Sequence, residues 1–383
     1  MYPNSTQRLA LAKTFGCVRY IYNKGIEAKT KAYETKGKTL SCFDLCNGML
    51  KQEKAENIWL KEVYSQTLQM SLRNLDNAFT RFFKTKGGFP NFKKKSNRQS
   101  CQYPQNIKVN QDNETVFLPK IGDVKIALSR KFEGKIGTCT VSQDATGKYF
   151  ISILVDDGKK PAKLKKVKDS TTIGIDLGLK DFAILSNGEK VANPRNLRNE
   201  MQRLKVLQSR ASKKKKGSQN RKKANLKVAK LYSIITNKRN DFLHKFTHKL
   251  THNNQVDSIC VEDLNVSGMM KNHKLAQAIA DVSWSKAIEY LSYKCEWYGK
   301  NLIQIGRFEA SSKTCSVCGS VKKDLALEDR EWTCEFCGTK HDRDINASIN
   351  IKKFGLMKAK AKLEEFLGTR LEEPVEPVES LGR

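Results

Sequence analysis

The sequence predicts an α+β fold of several domains. Three observations carry this. Residues 5–85 place apolar side chains at helical spacing, residues 102–156 form short strand-like runs divided by turns, and strands alternate with helices from Thr171 onward. At 383 residues the chain can build two or three domains with cores of their own. Its 71 Lys+Arg against 40 Asp+Glu leave a net charge of +31. Such an excess calls for a polyanionic partner, nucleic acid before others. The many apolar segments argue against a ribosomal-type or merely soluble basic protein. No run of about 18 apolar residues exists, so no membrane span is expected. The N-terminus lacks the apolar core of a secretory leader. The 11 cysteines are an odd number, with a cluster near the C-terminus. That fits a reducing, cytoplasmic setting and a metal site better than a disulfide framework.

In the helical region Leu9, Ala12, Phe15, Val18, Tyr22 and Ile26 mark one apolar stripe. A second follows Tyr64, where Leu68, Leu72, Leu75, Phe79 and Phe82 recur at spacings of four, three, four and three. The opposite face of that helix carries Gln66, Gln69, Arg73, Asn74 and Arg81, for base edges or for solvent. Lys86-Gly87-Gly88-Phe89-Pro90 breaks the helix. Next come Phe92, Lys93, Lys94 and Lys95, an aromatic ring among cations, which suits tracking phosphates and stacking bases. The runs TVFLPKIG, VKIALS, GTCTVSQD and KYFISILVD then predict a small β-barrel or twisted sheet. Pro161–Lys168 reads as a charged linker.

From Thr171 the pattern changes to an antiparallel start: strand, strand (Phe182–Ser186), an Asn187-Gly188 turn and a short third strand. A basic helical hairpin over Pro194–Leu250 has its tip at Lys213–Ser218, with Ile234, Ile235, Phe242, Leu243, Phe246 and Leu250 available to pack. His244, His248 and His252 share a face, without the acid of an HExxH site, so packing or phosphate contact is the expected role. Strand Val256–Glu262, a helix from about Leu275 to Tyr298 with Leu275 inward, and strand Leu302–Phe308 follow. This order matches a ribonuclease-H-like fold, which hosts many phosphoryl-transfer sites.

Three stretches then stand out. In Thr172–Ala183, Asp176 lies between Ile175 and Leu177, and in Val256–Leu264, Glu262 follows Val261. In His341–Ile351, Asp344 precedes Ile345. An acid on a buried strand is costly unless its charge is compensated. Three carboxylates from separated segments suit a phosphodiesterase holding two hard cations about 3.5–4 Å apart. Asp342 is placed to cap the helix that Asp344 opens. Arg343 suits a phosphate contact or the charge of a phosphorane. Ala347 and Ser348 are small enough for close packing on the sheet.

The most specific local pattern is Cys315-x2-Cys318 and Cys334-x2-Cys337, 15 residues apart and each pair followed by glycine. Four thiolates at that spacing are the ligand set of structural zinc. With no open coordination position, the site is assigned to folding, in a lid or substrate-guiding flap. The last stretch, Glu372–Arg383, is acidic and Pro-containing and is expected to be disordered.

Taken together, GIDLGLKDFA, VEDLNVSGM, SSKTCSVCG, WTCEFCG and HDRDINASINI resemble TnpB, the RNA-guided nuclease encoded by bacterial and archaeal insertion sequences and related to the type V CRISPR effectors. TQRLALAKTFGCVRYIYNKGI and GGFPNFKKK are similar to it as well. The resemblance implies a helical recognition lobe over 1–85, a wedge β-barrel over 86–165, and a RuvC-type nuclease domain over 166–310 and 341–366. A zinc finger over 311–340 is inserted, and 367–383 form a tail. It implies catalytic acids at Asp176, Glu262 and Asp344 holding two Mg2+ or Mn2+ ions, and one Zn2+ on Cys315, Cys318, Cys334 and Cys337. Tyr64, Ser65, Gln66 and Gln69 fall on the helix expected to read a short target-adjacent motif. The implied partners are an omega-type guide RNA and double-stranded target DNA, bound by a monomer with one RNA, the RNA reading sequence by pairing. Met1-Tyr2-Pro3 stands where the family usually has a short basic strand first.

Two other readings remain open on the sequence. One is a nuclease-inactive guided repressor or a transposition accessory protein that only grips DNA; three converging acids count against it. The other is an unguided resolvase, against which the large basic N-terminal half counts.

Overall fold

The computed structural model describes residues 1–85, 87–96, 98–326 and 328–371, with backbone only at 363 and 365–371. Two compact units divide it, Met1–Lys159 and Lys160 onward. The tail expected over Glu372–Arg383 lies outside the described residues.

The first unit opens with α1, Ser5–Lys36. The Asn4 side chain accepts the Gln7 N–H and the Gln7 side chain accepts the Asn4 N–H, a reciprocal cap that fixes the start. Gly37, at φ 58°, closes the helix in the left-handed conformation. Short helices α2 (Cys42–Asn47) and α3 (Met49–Glu56) and a single 3-10 turn (Ile58–Lys61) lead to α4, Ser65–Thr85. Leu68, Leu72 and Leu75 of α4 are buried as their spacing predicts. They lie so near α1 that a Cβ at Gly25 would meet the Leu75 and Leu72 side chains at 2.6 and 2.9 Å. The stripe expected on α1 is only partly right: Leu9 and Ala12 face solvent and Leu11 is buried instead. At 3.6 residues per turn, three successive three-residue steps from Leu9 to Val18 wind about half-way around the helix, so Leu9 falls on the opposite face.

Strands β1 (Gln99–Tyr103), β2 (Lys108–Asn110), β3 (Thr115–Leu118), β4 (Gly122–Lys125), β5 (Lys135–Gln143) and β6 (Tyr149–Asp156) complete this unit. They pair as two antiparallel sheets, β1-β5-β6 and β2-β3-β4. One apolar core joins α1, α4 and both sheets. The chain start is tied to each sheet: the Tyr2 N–H donates to Lys125 O at 2.7 Å, and the Met1 amino group to Tyr149 O at 3.0 Å.

In the second unit β7 (Thr172–Leu177), β8 (Asp181–Leu185) and β9 (Lys190–Ala192) are antiparallel neighbours. Helices α5 (Asn196–Ser212) and α6 (Gln219–His252) form the expected hairpin. On α6 Ile235, Leu243, Phe246 and Leu250 are buried, whereas Ile234 is exposed. His244 stacks on Tyr290, the His248 and His252 rings meet tilted, and His252 meets Tyr298 edge-on, so this histidine row packs ring on ring. Strand β10 (Ser258–Glu262), the short α7 (Val266–Met269), α8 (Ala276–Val282), α9 (Trp284–Tyr298) and β11 (Asn301–Ile305) follow. The single helix expected from Leu275 to Tyr298 is thus two. Ser283, at φ 55° and ψ 48°, breaks it, and Leu275 is exposed. Strand β11 also stops short of the expected Phe308, which is 95% exposed. The sheet order is β11-β10-β7-β8-β9, with β10 parallel to both β7 and β11.

Beyond β11 come β12 (Glu331–Thr333) and β13 (Lys340–Asp342), an antiparallel pair, and then α10, Arg343–Leu371. Helix α10 lies directly on the sheet. A Cβ at Gly174 of β7 would sit 2.1 Å from Ser348 O, and one at Gly355 would sit 2.3 Å from Cys260 Sγ of β10. Gly174 and Cys260 are cross-strand partners, and Ser348 and Gly355 are two helical turns apart. The small side chains therefore let α10 cross both strands in close contact.

Candidate active site and cysteine knuckles

The carboxylates sit where this crossing ends. On β7 every residue is buried except Asp176, which is half-buried. Glu262 closes the adjacent parallel strand. The last paired rung is Ile175 opposite Val261, so Asp176 and Glu262 both follow it by one residue. Asp344 lies in the first turn of α10, fixed by Asp342, whose carboxylate accepts the N–H groups of Asp344 (3.1 Å) and Ile345 (3.0 Å). Lys190 of β9 holds Asp342 in turn, at 2.6 Å.

Burial pushes the Asp176 carboxyl up to about 7, the charges of Glu262 and Asp344 push the same way, and Arg343 opposes them. Asp176 is thus close enough to feel the charges of both Glu262 and Asp344 at one end of the sheet. Desolvation and like charge on Asp176 are what a bound cation would relieve. Hard oxygen donors of this kind fit Mg2+ or Mn2+. Arg343 also donates to Ala326 O at 3.3 Å, and Arg330 approaches Asp344 at 3.4 Å. Glu262 accepts a hydrogen bond from the Ser311 hydroxyl at 2.5 Å, a partner that no sequence pattern signals.

Among the described residues one group of metal-ligating side chains has its ligand atoms all within 4.8 Å of one another: Cys315, Cys318, Cys334 and Cys337. The two loops repeat the same bonds. Gly319 N–H donates to Cys315 O and Gly338 N–H to Cys334 O, each at 2.9 Å. Both glycines need positive φ, 81° and 69°. The Ser320 hydroxyl draws the Cys334 thiol down to about 6, whereas burial pushes Cys315 up to about 11. Four sulfur donors in one cluster fit zinc and leave no place for an oxygen-seeking ion. His341, which the sequence did not flag, lies 3.1 Å from Cys315 Sγ and packs on Trp332.

The residues expected to meet nucleic acid fall in the first unit. Tyr64 donates to the Gln66 side chain at 2.8 Å and accepts from Asn106 at 3.0 Å. Ser65 accepts from Lys54, and Gln69 is exposed. Lys93 is occupied by α1: its backbone bonds Asn23, its ammonium lies 3.8 Å from the centre of the Tyr22 ring, and burial lowers its pKa. Phe92, Lys94 and Lys95 remain exposed beside it.

Comparison with known proteins agrees with these features. Residues 151–273 match a family model described as "Probable transposase", of the OrfB type of IS605. Residues 284–351 match "Cas12f1-like, TNB domain", and 1–38 a "Helix-turn-helix domain". A Streptomyces pristinaespiralis protein named "Putative RNA-guided DNA endonuclease" is 40% identical, over 93% of this chain and 88% of that one. An Escherichia coli protein named "Putative RNA-guided DNA endonuclease InsQ" is 30% identical, over 92% and 90%. Among solved structures, the chain of a Cas12f1-sgRNA-target DNA complex shares the fold, with a TM-score of 0.54 and 16% identity over 91% of this chain and 82% of that one. With relatives this similar along nearly its whole length, the chain belongs to the TnpB-like family of RNA-guided DNA endonucleases.

Proposed function

We propose that the protein cuts double-stranded DNA at sites chosen by a transposon-derived guide RNA and a short target-adjacent motif. Its chemistry would run at Asp176, Glu262 and Asp344. The observation that carries this is the approach of these carboxylates, from two parallel strands and the start of α10, with Asp176 raised first by burial and then by the charges of Glu262 and Asp344. The names of the Streptomyces and Escherichia relatives support the same activity.

In this reading Asp176, Glu262 and Asp344 hold two Mg2+ or Mn2+ ions. When bound, such ions supply a water of lowered pKa and neutralise charge on the scissile phosphate. The chain's own part is to fix its acids. The cap from Asp342 sets Asp344, the sheet register sets Asp176 beside Glu262, and Ser311 sets the Glu262 oxygen. Arg343 stands near enough to Asp176 to balance part of its charge and to meet a phosphate. The strand order, three antiparallel and two parallel with α10 laid across them, supports a ribonuclease-H-like, RuvC-type domain. The two sheets of the first unit, sharing one core, support an open wedge barrel, and the four cysteines support one structural zinc. The exposed Phe92, Lys94 and Lys95 suit a nucleic-acid backbone, and one RNA with one protein chain is the assembly proposed.

The test is to purify the protein from cells carrying the DNA that follows its gene, sequence any RNA that copurifies, and offer a target matching its variable end. Mg2+-dependent cleavage of the matched duplex alone is the expected result. Equal cleavage of unmatched DNA would reject guided cutting.

A further inference from the structure

Ser311 lies between the end of β11 and the first cysteine knuckle, and it is buried. Its hydroxyl donates to Glu262 Oε1 at 2.5 Å. Glu262 itself is only half-buried, at the open end of β10. The backbone of Ser311 is held from the other side. Its carbonyl accepts from Asn350 Nδ2 at 2.8 Å, and the same amide reaches Thr314 O at 2.5 Å. Asn346, one turn earlier, donates to Thr314 O at 2.7 Å and accepts the Ser316 N–H at 2.9 Å. Lys353 donates to Ser316 O. Asn346 and Asn350 are each 1% exposed, so these bonds have no water to replace them. The stretch from Ser311 to Ser316 is therefore fastened along α10, the helix that carries Asp344. At one end it grips Glu262, and at the other it supplies the ligand Cys315.

We propose that Ser311 is a positioning residue that couples the cysteine knuckles to the carboxylate site: the zinc-bound knuckles hold the 311–316 stretch in register, and Ser311 thereby aims Glu262 at the divalent cations. This rests on the reading of Glu262 as a cation-holding carboxylate. A carboxylate ligand that loses such a hydrogen bond binds its ion more weakly, typically by about 10–100-fold. The brace also gives zinc a second effect beyond local folding, because releasing Cys315 frees the stretch that orients Glu262.

The experiment uses the protein purified with its RNA and titrates Mn2+ by electron paramagnetic resonance, counting the sites that Asp176→Ala removes. Ser311→Ala should weaken these sites about tenfold or more. It should raise the Mn2+ needed for half-maximal cleavage in the same ratio, with zinc content and target-DNA binding unchanged. Ser311→Thr should restore both. Cys318→Ser should lose zinc and weaken Mn2+ binding similarly, a comparison that does not depend on how well Ser311→Ala folds. Mn2+ affinity within twofold of the parent in Ser311→Ala, no recovery in Ser311→Thr, or normal Mn2+ binding after zinc loss would each overturn the coupling. A parent protein whose Mn2+ binding matches that of Asp176→Ala would instead overturn the carboxylate reading, and the brace with it.

Discussion

Asp176 and Glu262 stand side by side, each one residue past the rung where Ile175 of β7 faces Val261 of β10. Parallel strands in register present equivalent positions to the same side of a sheet. Two acids are thus held as neighbours by the backbone ladder, and neither can turn away without breaking the register that buries Ile175 and Val261. Asp344 joins them from α10, whose contact with β7 is set by Gly174. The site is a place where folding has gathered like charge at a cost, as expected where cations are to be bound.

That cost gives a pH-dependent prediction. A carboxyl raised to about 7 in the folded protein binds its proton more tightly there than in the unfolded chain. In the cation-free protein this group therefore subtracts stability as pH rises from about 4 to about 7, and the loss is constant above. Asp176→Asn should raise cation-free stability at pH 8 by about 1–3 kcal/mol and leave it nearly unchanged at pH 4. Denaturant melts at the two pH values measure this; equal stability of parent and variant at pH 8 would contradict it.

Contact between α10 and the sheet makes Gly174 intolerant. A methyl group there would meet Ser348 O at 2.1 Å, and the obstacle is helix backbone rather than a movable side chain. Gly174→Ala should cost about 3 kcal/mol or more, at the upper end for overpacked sites. The drop in denaturation midpoint reads this directly, and a variant as stable as the parent would mean that α10 does not lie on β7.

Removing a cysteine ligand should leave a clear signature in the bound metal. If the four cysteines hold zinc as proposed, Cys334→Ser should lose it, since three thiolates hold the ion poorly. Metal analysis by mass spectrometry checks it, and full zinc occupancy in the variant would exclude the four-cysteine site.

Asp281 is buried on α8 and accepts the N–H groups of Leu197 and Arg198 at the start of α5, while Arg239 of α6 approaches it at 3.4 Å. Arg195, which precedes α5, offers no side-chain cap of its own. Asp281→Ala should cost about 2–4 kcal/mol, because two helix N–H groups and a guanidinium lose one acceptor. Thermal melts test this, and an unchanged melting temperature would show that α5 starts without Asp281.

The sequence was readable where chemistry and spacing coincide. The Cys-x2-Cys pairs, the stripe on α4 and the cap at Asp342 each rest on neighbours within a few residues. Ser283 could not be read so: nothing marks a serine in a helical run for the left-handed φ it adopts between α8 and α9. Ser311 and Asp281 were equally silent. Their partners lie 49 and 84 residues away, and a lone serine or aspartate gives no spacing to recognise. Leu9 misled because an apolar residue on a helix is not obliged to be buried.

The most direct measurement compares guided cleavage and target binding by the parent protein and Asp176→Ala in the same RNA-bound preparation. Loss of the acid should lower the single-turnover cleavage rate by about 1,000-fold or more, a barrier increase of about 4 kcal/mol, with RNA and target DNA still bound at parental affinity. Undiminished cleavage by Asp176→Ala would contradict the carboxylate site and the mechanism built on it.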